Sequence, residues 1–208
     1  MKRLKKLKVG IEKVNKVYHI ADIHIRNLKR HKEYRDVFSQ LYGYILSTME
    51  ENDIIYIAGD IVHAKTDMSP EVVDLTQEFF TRLADLLPTV VIPGNHDANL
   101  NNTSRLDALT PIVIENKNIN VSNFKGYDMV MLGDIHKPNN PVQGVDAIKY
   151  AGSLIVQNHG ESKYPDHGIL VWDVNTFKNK FVKIPNDYGY VTIDIELLHV
   201  RTMGSMRR

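Results

Sequence analysis

The sequence has 208 residues, 43% hydrophobic and 25% charged, which is close to the average of globular proteins and excludes a disordered or fibrous chain. Its 26 Lys and Arg residues against 25 Asp and Glu residues give a net charge of +1, which excludes a uniformly basic surface for binding polyanions. The absence of cysteine excludes disulfides, thiolate metal sites and cysteine nucleophiles, and leaves nine histidines and the carboxylates as candidate metal ligands.

Residues 1–16 form a basic segment with seven Lys and Arg residues. No apolar stretch follows that could serve in a secretory signal, and no run reaches the roughly 18 apolar residues that a membrane span needs. We therefore expect a solvated arm, with a phosphate-binding tail as the alternative, and no membrane association. We expect a cytoplasmic protein, or a nuclear one if the source is a eukaryote or a virus.

Four apolar runs, each followed by polar residues, predict buried strands. They lie at 17–20, 54–58, 89–92 and 129–132. Between the first three, apolar residues spaced by three and four positions predict helices, and Ser69 followed by Pro70 is a good start signal for the second. The expected helices cover 33–50 and 70–87, with a third over 104–115.

The pattern changes after residue 147 to short β-rich pieces. They lie at 148–151, 167–174, 180–184 and 190–195. The earlier alternation of strands and helices predicts a parallel or mixed sheet, and the later pieces predict strands that complete a second sheet. The expected fold class is α/β, a layered α/β/β/α sandwich of mixed sheets flanked by helices, in one domain over 17–197 with a tail at 198–208.

The four predicted strands in the first part of the chain run into residues that bind hard metal ions. Residues i and i+2 of an extended segment point the same way, so an Asp-x-His sequence can hold one ion from one side. Carboxylate, imidazole and amide donors without sulfur favour Mn²⁺, with Mg²⁺, Fe²⁺ and Zn²⁺ as alternatives. These candidate residues are Asp22, His24, Asp60, Asn95, His96, Asp97, Asp134 and His136.

The order Asp-x-His, Gly-Asp, Gly-Asn-His-Asp and Gly-x-x-His resembles the calcineurin-like metallophosphoesterase superfamily. Within it, the chain is most similar to the SbcD-like family, the nuclease subunit of the double-strand-break repair nuclease–ATPase complex. The similar segments are 19–24, 58–61, 105–109, 131–137, 150–154 and 167–173. The resemblance covers about residues 17–195 and implies a fold of the same layered kind.

The resemblance implies two divalent metal ions and a role for each candidate residue. Asp22, His24 and His136 would hold one ion, Asn95 and Asp134 would help to hold the other, and Asp60 would bridge both. His96 would orient the phosphate or protonate the leaving oxygen, and Asp97 would hold the imidazole of His96 in the correct tautomer. A two-metal site of this kind activates water for in-line attack on a phosphodiester.

The sequence departs from the family pattern in two places. Asp134 stands where the family has a histidine, an exchange that keeps a ligand and hardens the site. A further strand that ends in a metal-binding histidine has no counterpart, since no histidine lies between His96 and His136. We therefore expect an internally shortened phosphoesterase core with a weakened second metal site. Conceivable substitutes for the missing ligand are His63, His159 and His167.

The partners implied by the resemblance are DNA, a second copy of the chain and an SbcC-like ABC-type ATPase. The basic run after the first motif offers Arg26, Lys29 and Arg30 for DNA phosphates, with a solvated loop as the alternative. A homodimer would use the segments 70–87 and 105–114, with core packing as the alternative. We expect neither the capping domain nor the ATPase-docking segment of the family, because nothing after about residue 197 is long enough for either.

Three functions remain open at this point. The first is a metal-dependent DNA phosphodiesterase, both exonuclease and endonuclease, of the double-strand-break repair type. The second is a calcineurin-like phosphatase or small-substrate phosphodiesterase, and the long match over 150–173 favours the nuclease over it. The third is an inactive protein that keeps the fold and binds DNA or a partner, which the missing histidine would explain.

Overall fold

The computed structural model describes residues 11, 13–98, 108 and 127–190. Eight strands and two α-helices lie in this part of the chain, together with a short 3₁₀ turn at His159–Glu161. In chain order they are β1 (Lys16–Ala21), α1 (His31–Thr48), β2 (Ile54–Ala58), α2 (Pro70–Leu86), β3 (Thr89–Ile92), β4 (Val130–Leu132), β5 (Asn140–Val142), β6 (Val145–Tyr150), β7 (Gly168–Asp173) and β8 (Lys178–Lys183).

The strands form two mixed sheets. The larger has the order β3-β2-β1-β7-β8, with β1, β2 and β3 parallel to one another and β7 and β8 antiparallel to their neighbours. The smaller has the order β4-β6-β5, in which β4 is parallel and β5 antiparallel to β6. Parallel pairing of β1, β2 and β3 brings the loops after these strands to one edge of the larger sheet.

The helices cover one face of the larger sheet. Side chains alternate across a strand, so Tyr18 and Ile20 of β1 face the helices while Val17 and Ala21 face the other way. The hydroxyl of Ser69 caps α2 by accepting a hydrogen bond from the backbone N–H of Val72. The helices bury an apolar stripe against the sheet, namely Tyr34, Val37, Phe38, Leu41 and Ile45 of α1 and Val72, Leu75, Phe79 and Leu83 of α2.

The smaller sheet packs against the opposite face of the larger one. Ala58 and Trp172 of the larger sheet belong to the same buried cluster as Ala151, which follows β6, and Met131 of β4 packs against this cluster. Gly133, directly after β4, approaches the carbonyl of Ala58 so closely that a Cβ there would overlap it. The ends of β2 and β4 are therefore in contact, and the loops that follow them are neighbours.

The α/β fold class expected from the sequence is confirmed, with two mixed sheets and flanking helices. The buried stripe on α2 agrees with core packing of this helix. Within the described part of the chain, neither helix has the length and apolar character of a membrane span. Several predicted segments lie wholly or mostly outside the described residues. They are the basic arm, the third helix at 104–115 and the similar segment 105–109, both apart from residue 108, the strand at 190–195 and the tail.

Candidate metal centre

The loops after β1 and β2 are joined by backbone hydrogen bonds. The N–H of Asp22 donates to the carbonyl of Gly59 at 3.3 Å, and the N–H of His24 donates to that of Asp60 at 2.9 Å. Asp22, His24 and Asp60 all have left-handed backbones, with φ values of 51°, 51° and 50°. Such values are uncommon for residues with a side chain and cluster at functional sites, where the surrounding contacts hold the backbone in place.

Asp22, His24 and His136 form a group that could hold one metal ion, because their ligand atoms all lie within 4.8 Å of one another. Nε2 of His24 is 3.1 Å from Nε2 of His136. The backbone N–H of Asp134 donates to Oδ1 of Asp22 at 2.8 Å, which fixes the loop after β4 against the loop after β1. The structure thus brings together the three side chains that the resemblance assigned to the first ion.

Asp60, on the loop after β2, contacts both the loop after β1 and the loop after β3. Its Oδ2 is 3.8 Å from Nε2 of His24, and its Oδ1 accepts a 3.0 Å hydrogen bond from the backbone N–H of His96. Gly94 makes room for this carboxylate, since a Cβ at position 94 would overlap Oδ1 of Asp60. The carboxylate therefore reaches from the first group toward the loop after β3, as a bridging ligand must.

Asn95 and Asp134, the residues expected to help hold the second ion, line one cavity together with Asp60. The cavity has a volume of about 370 Å³, and both residues are exposed. No imidazole is among the described residues that line it. The remaining walls are mainly apolar, formed by Tyr56, Ala58, Ile92, Pro93, Met131 and Leu132.

Three histidines were proposed as substitutes for the missing ligand. Among the described residues, only His63 of these three belongs to a group that could hold a metal ion. It forms a second such group with His24 and His96, and its ring lies 5.8 Å from each of theirs, centroid to centroid. The ring of His167 is buried instead beside Ser153, and the ring of His159 lies 6.3 Å from that of Tyr190. His63 follows Asp60 by three residues, but no spacing rule singled it out.

His96 is held by a different partner from the one expected. Its Nδ1 lies 2.5 Å from the carbonyl oxygen of His63, so this nitrogen carries the proton and donates. The buried carboxylate of Asp97 instead accepts hydrogen bonds from the backbone N–H groups of Ile61, Val62 and Gly94. In this structure the carbonyl of His63 therefore holds the imidazole of His96, the task that the resemblance assigned to Asp97, and the carboxylate of Asp97 joins two loops.

Burial shifts the proton affinities of the first group in opposite directions. It raises the pKa of Asp22 to about 7, since a buried carboxylate favours its neutral form. Burial also lowers the pKa of His24 to about 3, and the neighbouring imidazoles of His136, His96 and His63 add to this effect. The side chain of His24 is therefore neutral near pH 7 and keeps a lone pair for a metal ion.

Buried polar atoms around this group fit a bound cation. Oδ2 of Asp22 and Nδ1 of His24 are buried and have no hydrogen-bond partner within the described part of the chain. The two ring nitrogens of His24 and His136 face each other at 3.1 Å, where a neutral pair can share at most one proton. A carboxylate oxygen without a partner and two imidazole nitrogens close to it are the donor set of a divalent metal ion.

Glu161 is a site residue that the sequence did not reveal. One of its oxygens lies 2.8 Å from Nδ1 of His136, and this hydrogen bond is the main reason that the pKa of His136 is raised. Glu161 belongs to the short 3₁₀ turn, 25 residues beyond His136. A single glutamate in a polar stretch carries no periodic or motif signal, so only the folded chain shows the contact.

The basic residues proposed for DNA contact have different surroundings. Arg26 donates to the carbonyl of Gln157 at 3.0 Å, and Arg30 forms two hydrogen bonds of 2.6 and 2.7 Å with the buried carboxylate of Glu33. Lys29 is exposed on the loop between them. The charge of Arg30 is therefore paired within the chain, whereas Arg26 gives one hydrogen bond to a neutral carbonyl and its buried Nε has no partner among the described residues. Lys29 is the exposed member of the set.

The fold and this set of donors are typical of metal-dependent phosphoester hydrolases. The chain belongs to the calcineurin-like phosphoesterase family, whose model matches residues 15–199.

The chain is also similar to an uncharacterized protein of Acanthamoeba polyphaga mimivirus, with 34% identity over 254 residues. The match covers 86% of this chain and 19% of the relative, so the chain spans about a fifth of the relative's length. Because the aligned region is longer than the 208 residues of the chain, the relative has residues there that this chain lacks.

Proposed function

We propose that the chain is a metal-dependent DNA phosphodiesterase, a nuclease of the repair type, with Mn²⁺ as its preferred ion. The observation that carries the proposal is the convergence of Asp22, His24, Asp60 and His136 from three separate loops on one buried centre. The similarity of segments such as 131–137 and 150–154 to the SbcD-like nucleases supports DNA as the substrate.

The side chains of the chain have separable tasks in this reaction. Bound divalent ions supply an activated water and polarise the phosphodiester. Asp22, His24 and His136 would hold one ion, and Asp60, with Asn95 and Asp134 beside it, would hold the other. Because Asn95 and Asp134 are exposed and no imidazole lines the cavity with them, the second ion would bind more weakly than the first.

His96 is suited to bind the phosphate or to protonate the leaving oxygen. The carbonyl of His63 accepts the hydrogen bond from Nδ1–H, so Nε2 is the nitrogen left for substrate. The rings of His63 and His96 stack with an interplanar angle of 26°. This contact fixes the orientation of the His96 ring, which an acid or phosphate ligand requires.

Lys29 is the residue that we favour for DNA contact in the loop after His24. It is exposed on the loop that follows His24, whereas the charge of Arg30 is already paired with Glu33. Cations that neutralise phosphates supply most of the affinity for DNA. Arg26 and Arg30 would then contribute by holding the loop. Their bonds to Gln157 and Glu33 fix it at both ends.

A small-substrate phosphodiesterase is the second candidate. The cavity of about 370 Å³ beside Asp60 falls in the size range of small-molecule sites, and its walls are mainly apolar. A nucleotide-sized ester could place its phosphate at Asp60 and its apolar part in this cavity. We prefer DNA as the substrate because the segments named above resemble segments of nucleases.

One assay separates the three candidate functions. The protein is incubated with Mn²⁺ or Mg²⁺ and either end-labelled linear DNA or a small chromogenic phosphodiester. Two variants, Asp60→Asn and His96→Ala, remove a bridging carboxylate and the proposed acid, and Asp85→Asn on the exposed side of α2 is the matched control.

Metal-dependent DNA cleavage that both site variants lose and Asp85→Asn keeps would support the nuclease. Turnover of the small ester alone would instead favour the second candidate. A protein that binds Mn²⁺ but turns over neither substrate would be the inactive form that the missing histidine suggests.

A further inference from the structure

Glu161 lies at the centre of a buried hydrogen-bond network next to the metal centre. Oε1 accepts from Nδ1 of His136 at 2.8 Å and from Nδ2 of Asn158 at 2.6 Å. Oε2 accepts from the backbone N–H of Gln157 at 2.9 Å and from the hydroxyl of Ser153 at 3.1 Å. Each oxygen thus has two donors, which is the full capacity of a carboxylate.

This network is attached to both loops that supply the first metal-binding group. Nε2 of Gln157 donates to the carbonyl of Ile23, the residue between Asp22 and His24, at 2.8 Å. The backbone N–H of Ser153 donates to the carbonyl of His136 at 3.2 Å. The carboxylate of Glu161 is therefore fixed relative to all three side chains of the group.

The segment 150–154, which resembles the nuclease family, also serves this network. Gly152 has a φ of 89°, and a Cβ there would overlap the backbone of Pro138, so this glycine lets the chain approach the loop of His136. Ser153 comes next, and its buried hydroxyl lies 3.1 Å from both Glu161 and Nδ1 of His167. Glycine and serine in this segment thus place a donor on Glu161.

A carboxylate can only accept hydrogen bonds, so Nδ1 of His136 must carry a proton. The neutral ring then leaves Nε2 with its lone pair free. Nε2 is the atom that faces His24 at 3.1 Å, on the side of the metal centre. The opposite tautomer would direct an N–H toward the ion and a lone pair toward Glu161, and both contacts would be repulsive.

We propose that Glu161 is a positioning residue that holds His136 in the Nδ1–H tautomer and thereby presents Nε2 to the metal ion. The proposal rests on the part of the proposed function that makes His136 a metal ligand, and it does not depend on the substrate. A carboxylate behind a histidine ligand also fixes the plane of the ring and makes the ligand nitrogen more basic.

Glu161→Gln is the sharpest variant, because it keeps the shape of the side chain. The amide nitrogen would have to face either the pair of donors at Oε1 or the pair at Oε2, so donors would oppose donors in both orientations. Glu51→Gln on an exposed turn is the matched control for the same chemical change.

Mn²⁺ binding to the folded protein, measured by titration calorimetry without any substrate, tests the proposal. We expect Glu161→Gln to weaken the tighter Mn²⁺ site about 10- to 100-fold, the usual effect of losing a partner behind a histidine ligand, and Glu51→Gln to leave it unchanged. Unchanged Mn²⁺ affinity in a folded Glu161→Gln protein would overturn the proposal, whether or not the protein cleaves DNA.

The tautomer itself can be read in the wild-type protein, which keeps the proposal testable if Glu161→Gln does not fold. Long-range ¹⁵N–¹H correlation spectra of the metal-free protein at mildly alkaline pH distinguish the two neutral forms, and a His136→Gln sample assigns the signals. We expect the Nδ1–H form for His136. The Nε2–H form would overturn the proposal.

Discussion

The backbone N–H of Val62 donates a 2.9 Å hydrogen bond to Oδ1 of Asp97, 35 residues further along the chain. Asp97 is fully buried, and its other oxygen accepts from the N–H groups of Ile61 and Gly94. Burial raises the pKa of this carboxyl to about 6, although the three backbone donors act in the opposite direction. Asp97 thus joins the loop after β2, which carries Asp60, to the loop after β3.

The Asp97→Asn variant should unfold more easily than the wild-type protein. Its amide N–H₂ would face at least one backbone N–H, and leaving a buried donor without an acceptor costs about 1–3 kcal/mol. Urea denaturation followed by circular dichroism measures the loss, with Asp85→Asn as the exposed control. If stability were unchanged and only catalysis fell, Asp97 would act on the chemistry of His96 and not on the loops.

The bounds of the strands and helices around Asp97 could be predicted from the sequence, whereas the hydrogen bonds of Asp97 could not. β2 and β3 begin and end where the apolar runs do, and α1 and α2 lie within two residues of their predicted bounds, because burial on one side imposes a local period on the sequence. β5 was missed, since it is three residues long, contains Pro141 and pairs across a bulge, which leaves no alternation to detect.

The same distinction holds within the metal centre. Motifs identified Asp22 and His24 because their spacing is a local property, and the ends of parallel strands then bring them near Asp60. The partners of these ligands come from distant parts of the chain. Glu161 behind His136 and the carbonyl of His63 behind His96 are set by how loops pack, which no spacing in the sequence encodes.

Gly94→Ala should disrupt the metal centre from a position that holds no ligand. The added Cβ would overlap the carboxylate and backbone nitrogen of Asp60, so either the loop after β3 or the Asp60 carboxylate must move. We expect lower stability in thermal unfolding and weaker Mn²⁺ binding in calorimetry. The reason is steric, so Gly94→Ser should behave no better.

Gly43→Ala is the matched control for that substitution. Gly43 lies within α1, and nothing lies within 4 Å of the position that its Cβ would occupy. Alanine should therefore stabilise the helix by about 0.5–1 kcal/mol and leave Mn²⁺ binding unchanged. Equal behaviour of the two alanine variants would contradict the close approach of Gly94 to Asp60.

Lys29→Ala and Arg30→Ala should separate DNA contact from loop structure. If Lys29 binds a phosphate, its loss should lower the slope of log affinity against log salt by about 1 without changing stability. Arg30→Ala removes the two hydrogen bonds to buried Glu33 and should cost about 1–3 kcal/mol of folding free energy. Fluorescence anisotropy of labelled DNA over a salt series and urea denaturation provide the two measurements. An unchanged slope for Lys29→Ala would remove this loop from the DNA interface.

His19 should make the stability of the fold depend on pH. It lies in β1 on the face toward the smaller sheet, its ring is 5.4 Å from that of Tyr56, and burial lowers its pKa to about 3. The unfolded chain, in which the pKa of this histidine is near 6.5, binds the proton first as the pH falls. The contribution of His19 to the free energy of unfolding is therefore fully present above pH 6.5 and decreases below it by about 1.4 kcal/mol per pH unit until about pH 3.

His19→Gln tests this pH dependence, because glutamine cannot titrate. Its unfolding free energy, measured in urea with a metal chelator present, should fall less steeply over this range than that of the wild-type protein. Chelation keeps bound metal from adding its own pH dependence, and both proteins share Asp22 and His24, so the difference in slope belongs to His19. Parallel pH profiles for the two proteins would show that the imidazole of His19 can be protonated without unfolding.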